Sequence, residues 1–154
     1  MLFKNSKNKQ FLNKKAKTNI MEEKTRKQVI IDTNFLLIPA RFKVDIFTEI
    51  DRIMKEPHEI CILDKTIDEL EKIIKEQRGK DKEAAKLGKK IAEAKKIHIL
   101  KTDKLKNVDR ILIEKAEKDK FIVATQDAEL KKELKNKGIK IITLRKKKHL
   151  TIEE

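Results

Sequence analysis

Apolar and polar residues alternate along the chain in two periods from Gln28 onward. Short β-branched runs, typical of strands buried on both faces, occur at "QVIID", "EICIL", "IHIL", "FIVAT" and "IKIITL". The stretches between them carry apolar residues every three or four positions, which is the period of an amphipathic helix. These stretches are "KVDIFTEIDRIMK", "KTIDELEKIIKEQ", "DKEAAKLGKKIAEAKK", "NVDRILIEKAEKD" and "DAELKKELKNKG". Alternating strands and helices predict βαβ units, and hence a central parallel sheet with helices on both faces.

Local signals place the ends of two of these helices. Asp64 or Thr66 is expected to cap the second helix, and Gly138 is expected to end the last one. The third helix, "DKEAAKLGKKIAEAKK", is rich in lysine, so we expect it to be exposed.

The composition changes near residue 28. Residues 1–27 hold nine Lys or Arg and two Glu, and their apolar residues show no steady period. Such a segment is typical of a flexible basic interaction arm, although an unstructured leader or a start at Met21 accounts for it equally well. Residues 28–154 have the length and the apolar content of one domain.

The formal net charge of +14 favours a polyanionic partner, with RNA or DNA first and an anionic membrane second. The aromatic residues are six Phe, without Tyr or Trp, so base stacking is poorly supplied and contacts to phosphates should dominate. No apolar run is long enough to span a bilayer, and no signal-peptide core follows the basic N-terminus. We therefore expect a cytoplasmic protein, with RNA rather than a membrane as its partner.

Cysteine and histidine chemistry has little support in the sequence. The single cysteine, Cys61, excludes an internal disulfide and a cysteine-based zinc site, and its apolar neighbours predict a buried structural thiol. The three histidines, His58, His98 and His149, are scattered and show neither metal-binding nor triad spacing.

Polar residues follow three of the predicted strands directly. They are Asp32, Thr33 and Asn34 after the first strand, Asp64 after the second, and Thr125, Gln126 and Asp127 after "FIVA". The carboxyl ends of parallel strands share one edge of a sheet, and ligand sites lie beyond that edge. We therefore expect these side chains to lie close together.

Two further acids are placed by helical periodicity. Glu69 falls at the rim of the apolar stripe of the second helix, on the side of Ile73. Asp109 falls within the arc of apolar positions on a later helix, between Ala116 and Ile113, so it is expected to face inward. A charge that faces a core is costly unless it is paired or binds a metal.

Each acid also has a purely structural interpretation. Asp32, Asp109 and Asp127 could cap helices, and Glu69 could be a surface acid. These interpretations do not explain why so many acids share one edge. A cluster of unpaired carboxylates repels itself and favours a cation, and oxygen ligands without Cys or His favour Mg²⁺ or Mn²⁺. Such an ion could activate a water and stabilise charge on a phosphate.

The motifs "IIDTNFLL", "DELEKI", "VDRILIEKA" and "VATQDAELKKEL", in this order, resemble those of PIN domains, a family of metal-dependent nucleases. The resemblance covers about residues 28–150. It implies a Rossmann-like, three-layer α/β/α sandwich around a parallel sheet. It also implies that four acids hold the metal and carry catalysis, with three polar residues in support. The acids are Asp32, Glu69, Asp109 and Asp127, and the supporting residues are Thr33, Asn34 and Thr125.

The stretches "DTNFLLIPARFKVDIF" and "ITLRKKKHL" further resemble the PIN branch that processes small-subunit ribosomal RNA, and its archaeal relatives, some of them VapC-type toxins. This implies an rRNA or tRNA substrate, an antitoxin or ribosome-assembly factor as partner, and a homodimer. Related domains often carry two consecutive acids where this chain has Val108-Asp109, which leaves one acid at this corner. Arg110 could pair with Asp109 instead of leaving it to a metal.

Two functions from different classes follow. The first is an Mg²⁺- or Mn²⁺-dependent endoribonuclease, and the second is an inactive PIN-fold module that binds RNA or a ribosome-assembly factor. Both use the basic run Arg145, Lys146, Lys147 and Lys148 as an RNA contact, although such a run can also be a solvated surface. A haloacid-dehalogenase phosphatase is disfavoured, because it requires an aspartate where this chain has Asn34.

Overall fold

One six-stranded sheet forms the centre of the protein, and a computed structural model describes residues 26–103 and 105–154. The strands are β1 (Lys27–Ile31), β2 (His58–Leu63), β3 (His98–Leu100), β4 (Phe121–Ala124), β5 (Lys140–Arg145) and β6 (His149–Glu153). Their order across the sheet is β3-β2-β1-β4-β5-β6. The pairings among β1 to β5 are all parallel, whereas β6 runs antiparallel to β5. The predicted parallel sheet is confirmed, with an antiparallel edge strand added to it.

Helices cover both faces of this sheet. After a 3-10 turn at Thr33–Leu37, they are α1 (Ile38–Phe42), α2 (Ile46–Ile53), α3 (Asp64–Glu76), α4 (Lys80–Ala94), α5 (Val108–Lys115) and α6 (Ala128–Asn136). Alternate residues of β1 enter different cores. Val29 and Ile31 pack with residues of α1 to α4, whereas Ile30 packs with α5 and α6. The three-layer α/β/α arrangement is therefore confirmed.

The central strands are buried on both faces, as their continuous apolar runs predict. All four residues of β4 are buried. Cys61 on β2 has no exposed surface, and burial raises the pKa of its thiol to about 12. The expectation of a buried structural thiol is confirmed.

Helix α4 differs from its expected exposure. One face is buried through Ala84, Ala85, Gly88 and Ala92, and this face packs against α1, α3 and the 3-10 turn. A Cβ atom on Gly88 would lie 2.5 Å from the carbonyl oxygen of Leu36. The small residues that gave this stretch a weak apolar signal are the ones that allow the two backbones to approach closely.

The cap expected at the second predicted helix is also wrong. Helix α3 begins at Asp64, its N-cap is Leu63, and no side chain caps it. The Asp64 carboxylate instead accepts hydrogen bonds from the hydroxyl (2.6 Å) and the backbone N–H (3.2 Å) of Thr102. Its Oδ1 also accepts from the Lys65 N–H at 2.8 Å, so the side chain joins the first turn of the helix to a distant segment. At the end of α6, Gly138 adopts a φ of 83°, so its predicted role is confirmed.

Strand β6 directly follows the basic run and was not predicted from the sequence. It forms a hairpin with β5 through a turn in which the Lys148 N–H donates to the Arg145 carbonyl (3.0 Å). Both central residues, Lys146 and Lys147, have positive φ values of 53° and 58°. Such turns favour Asn-Gly or similar pairs, so the lysine pair gave no turn signal.

Most of the expected basic arm lies outside the described residues, and Lys27 already belongs to β1. Within the described ranges, no helix combines the length and the apolar character needed to cross a bilayer.

Candidate active site

The carboxyl ends of β1 and β4 open into a pocket of about 330 Å³, whose remaining walls come from α3 and the start of α5. It is lined by Asp32, Thr33, Asn34, Glu69, Lys72, Ile73, Asn107, Val108, Asp109 and Asp127. Asp32 and Asp127, expected at the strand ends, and Glu69 and Asp109, expected from helical periodicity, all line this pocket. Asp64, which was expected beside them, does not line it and binds Thr102 instead.

Asp32 forms the floor of this pocket and is only 5% exposed. Its Oδ1 accepts a hydrogen bond from the Thr33 N–H (2.8 Å), and its Oδ2 accepts one from the Thr125 hydroxyl (2.9 Å). Burial, aided by the negative charges of Asp109 and Glu69, raises the pKa of Asp32 to about 6 despite these hydrogen bonds. The carboxylate is therefore held rigidly in a site that disfavours its charge.

Glu69 reaches the pocket from the second turn of α3, where it is half-buried. The Thr33 hydroxyl donates to its Oε1 at 2.7 Å. The fully buried Thr66 lies one helical turn earlier, and its hydroxyl oxygen is 3.5 Å from that of Thr33. Sequence reasoning treated Thr66 only as a cap. The sequence does contain a signal for its position beside the site. Thr66 is a hydroxyl residue on the inward face of a helix, three residues before a candidate metal ligand.

Asp127 is both a helix cap and a wall of the pocket. Its Oδ1 accepts from the Leu130 N–H (2.9 Å), so the cap interpretation is correct. Its own N–H donates to the Thr125 hydroxyl oxygen (3.1 Å), and that hydroxyl donates onward to Asp32. Thr125 is fully buried and joins the ends of β1 and β4 through one hydroxyl group. Capping and lining the pocket are thus compatible.

Asp109 lines the mouth of the pocket and is exposed, so the expectation that it faces the core is wrong. Helix α5 ends at Lys115, so Ala116 lies outside the helix. The predicted apolar face counted Ala116 as part of the helix, and this placed Asp109 on the wrong face. Partial burial raises the pKa of Asp109, and the nearby charges of Asp127, Glu69 and Glu133 raise it further. The acids therefore repel one another across the pocket.

The two alternatives for Asp109 are wrong as well. Asn107 caps α5, because its Oδ1 accepts from the Arg110 N–H at 2.8 Å. The Arg110 side chain is directed along the helix, where its Nε lies 4.0 Å from Glu114.

Lys72 was not anticipated from the sequence. It lies on α3 three residues after Glu69, and it is the one basic residue that lines the pocket among those described. Its signal is the helical spacing that places residues i and i+3 on one face. A cation here offsets part of the repulsion and is suited to contact a phosphate.

The donor set of the pocket fits a hard divalent cation. All four acids and Asn34 supply oxygen, and the raised pKa values of Asp32 and Asp109 show that the charges of these two carboxylates are poorly compensated. In residues 26–103 and 105–154, no three Asp, Glu, His or Cys side chains converge closely enough to hold one ion as they stand. Mg²⁺ is commonly held by one or two carboxylates together with waters and substrate phosphates, and the pocket satisfies that lesser requirement.

The basic run lies at the same edge of the sheet as the pocket. Residues 145–148 occupy the turn after β5, which is parallel to β1 and β4. The four side chains of this run are exposed, and Arg145 is 3.6 Å from Glu153. Gln126 links the turn to the pocket, because its Oε1 accepts from the Leu144 N–H at 2.7 Å.

Comparisons with known proteins agree with this architecture. A family model described as a PIN like domain matches residues 29–147. Ribonuclease VapC4 of Methanocaldococcus jannaschii is 31% identical over 125 residues, which cover 81% of this chain and 95% of that protein. Ribonuclease VapC9 of Archaeoglobus fulgidus is 32% identical over 124 residues, which cover 80% and 87%.

A solved structure of the PIN domain endonuclease Utp24 is similar to the fold, with a TM-score of 0.66 and 26% sequence identity. The alignment covers 82% of this chain and 90% of that one.

Proposed function

The chain belongs to the PIN-like domain family, and we propose that it is a metal-dependent endoribonuclease that hydrolyses internal phosphodiester bonds of RNA. The observation that carries the proposal is the pocket, where acids from four separate segments meet on a chain with a net charge of +14. An acidic pit in a basic surface suits a polyanion whose backbone is held by Lys and Arg while a cation neutralises the acids. The VapC relatives, named as ribonucleases, support the same activity.

We further propose that Mg²⁺ or Mn²⁺ is held by Asp32, Glu69, Asp109 and Asp127. When bound, such an ion supplies Lewis-acid stabilisation of the charge that develops on the phosphate. The remaining work falls to the side chains of this chain. Thr125 and Thr33 fix the orientations of Asp32 and Glu69 through the hydrogen bonds described above. Asn34, exposed at the pocket wall, offers an amide that can orient substrate or water.

Lysine and arginine side chains in and around the acidic pocket position the RNA. Lys72 is placed to contact a phosphate inside the pocket, and residues 145–148 are placed to hold the backbone beside it. Such contacts carry little sequence information, so they fix where the strand lies without selecting its bases.

The mechanism is tested by Asp32→Asn. Ribosomal and transfer RNAs are incubated with the parent and the variant in Mn²⁺ or in EDTA. We expect the parent to cleave RNA in Mn²⁺ but not in EDTA. The variant should cleave more than about 100-fold more slowly, because losing a metal ligand should have a larger effect than losing a residue that hydrogen-bonds to a ligand. RNA affinity in EDTA should stay unchanged. Metal-dependent cleavage at the parental rate in the variant would contradict the mechanism.

A matched pair on α3 separates the pocket from general charge effects. Glu69→Gln removes a pocket carboxylate, whereas Glu71→Gln removes an exposed one that lies 3.3 Å from Lys89. Both changes raise the net charge equally. Cleavage should fall with Glu69→Gln and stay near the parental rate with Glu71→Gln.

The second candidate function is a PIN-fold module that binds RNA without cleaving it. Two observations favour it, namely the lack of three converging ligands among the described residues and the single acid at Val108-Asp109. Titration of Mn²⁺ into the purified protein, followed by calorimetry, separates the two functions. Measurable binding that Asp32→Asn weakens supports the nuclease. Absence of binding, with RNA affinity kept in EDTA, supports the module.

The biological role and partner form a separate proposal. The relatives named VapC favour a toxin held by an antitoxin, and the likeness to Utp24 favours an rRNA-processing enzyme working with an assembly factor. Expression in a host cell distinguishes the two. A toxin arrests growth and Asp32→Asn relieves the arrest, whereas a processing enzyme leaves growth intact.

A further inference from the structure

We propose that Phe42 is a stacking platform for one unpaired RNA base, and that Lys43 and Lys147 hold the adjacent phosphates. The proposal rests on the nuclease function above and adds a subsite outside the acidic pocket. We name the surface formed by Phe42, Lys43, Lys146 and Lys147 the aromatic ledge.

Phe42 is the last residue of α1 and keeps 37% of its surface exposed, in contrast to the buried Phe35 of the preceding turn. The Nζ atom of Lys147 lies 6.0 Å from the centroid of its ring. That contact joins two segments about a hundred residues apart in sequence, α1 and the β5–β6 turn. The Lys147 ammonium group therefore lies over one face of the ring, and the exposed part of the ring can stack on an unpaired base, since every base has a face to stack.

The lysines around Phe42 share a left-handed backbone conformation. Lys43, Lys146 and Lys147 all have positive φ values, of 54°, 53° and 58°. In the described ranges five residues other than glycine have positive φ, and three of them belong to the ledge. Glycine and asparagine adopt this conformation more easily than lysine does, so the backbone conformation does not explain why lysine occupies these positions.

The ledge is held in place by contacts on both sides. Arg41 donates to Asp81 at 3.0 Å and ties the end of α1 to the start of α4. On the other side, the Leu144 N–H donates to Gln126, whose neighbour is Asp127. These contacts tie the two segments that form the ledge to α4 and to the loop after β4.

Position selects RNA over other anionic partners. The β5–β6 turn lies at the carboxyl edge of the sheet, two inter-strand spacings from β1, which corresponds to about 10 Å. A strand whose phosphate enters the acidic pocket can therefore reach the β5–β6 turn within a short distance. Stacking on Phe42 requires an unpaired base, so the ledge favours single-stranded RNA over a duplex.

Binding in EDTA tests the ledge independently of cleavage. The full chain is titrated into a short single-stranded oligoribonucleotide that contains 2-aminopurine, and into the corresponding duplex, with anisotropy and base fluorescence as readouts. Phe42→Leu keeps an apolar side chain but removes the ring, and Phe42→Trp enlarges the ring. Ile99→Ala truncates a similarly exposed apolar residue, on β3 at the far side of the sheet.

We expect Phe42→Leu to weaken single-strand binding by about 5- to 100-fold and to leave duplex binding unchanged. The parent and Phe42→Trp should quench the 2-aminopurine, whereas Phe42→Leu should not, and Ile99→Ala should behave as the parent. Unchanged single-strand affinity in Phe42→Leu, or equal loss for both RNAs, would overturn the ledge.

Cleavage by the parent in Mn²⁺ is measured alongside. If Phe42→Leu binds single strands as tightly as the parent and the parent cleaves RNA, the ledge is rejected and the nuclease function stands. If Phe42→Leu loses single-strand affinity and the parent does not cleave RNA, the ledge stands and the nuclease function is rejected.

Discussion

Asp32 shows how one residue can serve the fold and the site together. As the cap of the 3-10 turn it binds the Thr33 N–H, and through its second oxygen it binds Thr125 at the end of β4. These bonds hold a carboxylate at the bottom of a pocket where burial opposes its charge. The site therefore destabilises the fold as the pH rises, and a bound cation would relieve that effect.

The pH dependence of stability tests this arrangement. The folded-state pKa of about 6 lies above the ordinary value of 3.8, so the stabilising contribution is complete below pH 3.8 and is lost as the pH rises through 6. Asparagine at position 32 does not titrate. In EDTA, the unfolding free energy of Asp32→Asn minus that of the parent should increase by about 2 kcal/mol between about pH 4.5 and pH 7.5. Urea unfolding at both pH values measures it.

Asp45 provides a control of the opposite sign. Hydrogen bonds from the hydroxyl and the N–H of Thr48 hold its pKa below the ordinary value. Its contribution is therefore present at neutral pH and is lost on acidification. The difference between Asp45→Asn and the parent should become more unfavourable as the pH rises. A difference for Asp32→Asn that does not change with pH would contradict the prediction.

Residue identities at the strand ends made the candidate site largely predictable, because parallel strands bring their carboxyl ends to one edge. Side-chain orientation was less predictable. The inward position of Asp109 was inferred from a helix assumed to continue past Lys115. Thr66 and Lys72 were overlooked because their importance depends on which neighbour they face, and only the packed structure shows it.

Among the elements, α4 connects the outer layer to the active site. Its Gly88 lies against the backbone of Leu36, in the 3-10 turn that begins directly after Asp32. The turn carries Asn34 and continues into α1, which ends at Phe42. The packing of one small residue on the outer helix thus sets the position of the segment that links the pocket to the ledge.

Gly88→Ala tests this packing. Alanine ordinarily stabilises a helix relative to glycine by roughly 1 kcal/mol, but here its Cβ would meet the Leu36 carbonyl oxygen at 2.5 Å. We expect the overlap to prevail and the variant to lose about 1–3 kcal/mol in urea unfolding, with a reduced cleavage rate under conditions where it remains folded. Lys90→Ala, an exposed change on the same helix, should leave both quantities nearly unchanged. Stabilisation by Gly88→Ala would contradict the close approach.

The elements also differ in how far local sequence determines them. The β1, β2, β4 and β5 runs are apolar on both faces and were recognised from that pattern. Strand β6 was overlooked, because the Lys-Lys turn before it carries no hairpin signal. Leu150 and Ile152 alternate with polar residues, as in a half-buried strand, and the hairpin with β5 buries Leu150.

Across the whole molecule, both proposed sites lie at one edge of the sheet. The acidic pocket and the ledge lie at the carboxyl ends of the parallel strands. The opposite edge is also basic, with exposed Lys118 and Lys120 before β4 and Lys137 before β5. Total charge does not distinguish the two edges, so a comparison of equal charge changes at each edge tests whether position decides RNA binding.

The last prediction compares two triple variants of the full chain. One replaces Lys146, Lys147 and Lys148 by Gln, and the other replaces Lys118, Lys120 and Lys137 by Gln. Each phosphate contact with a single strand contributes about −0.7 to the slope of log K against log salt concentration. The hairpin variant should therefore lower the magnitude of the slope by about 2, with a corresponding loss of affinity. The variant at the opposite edge should keep the parental slope, because its lysines lie away from the bound strand. Equal changes in both slopes would mean that RNA is held by diffuse charge rather than at the carboxyl edge.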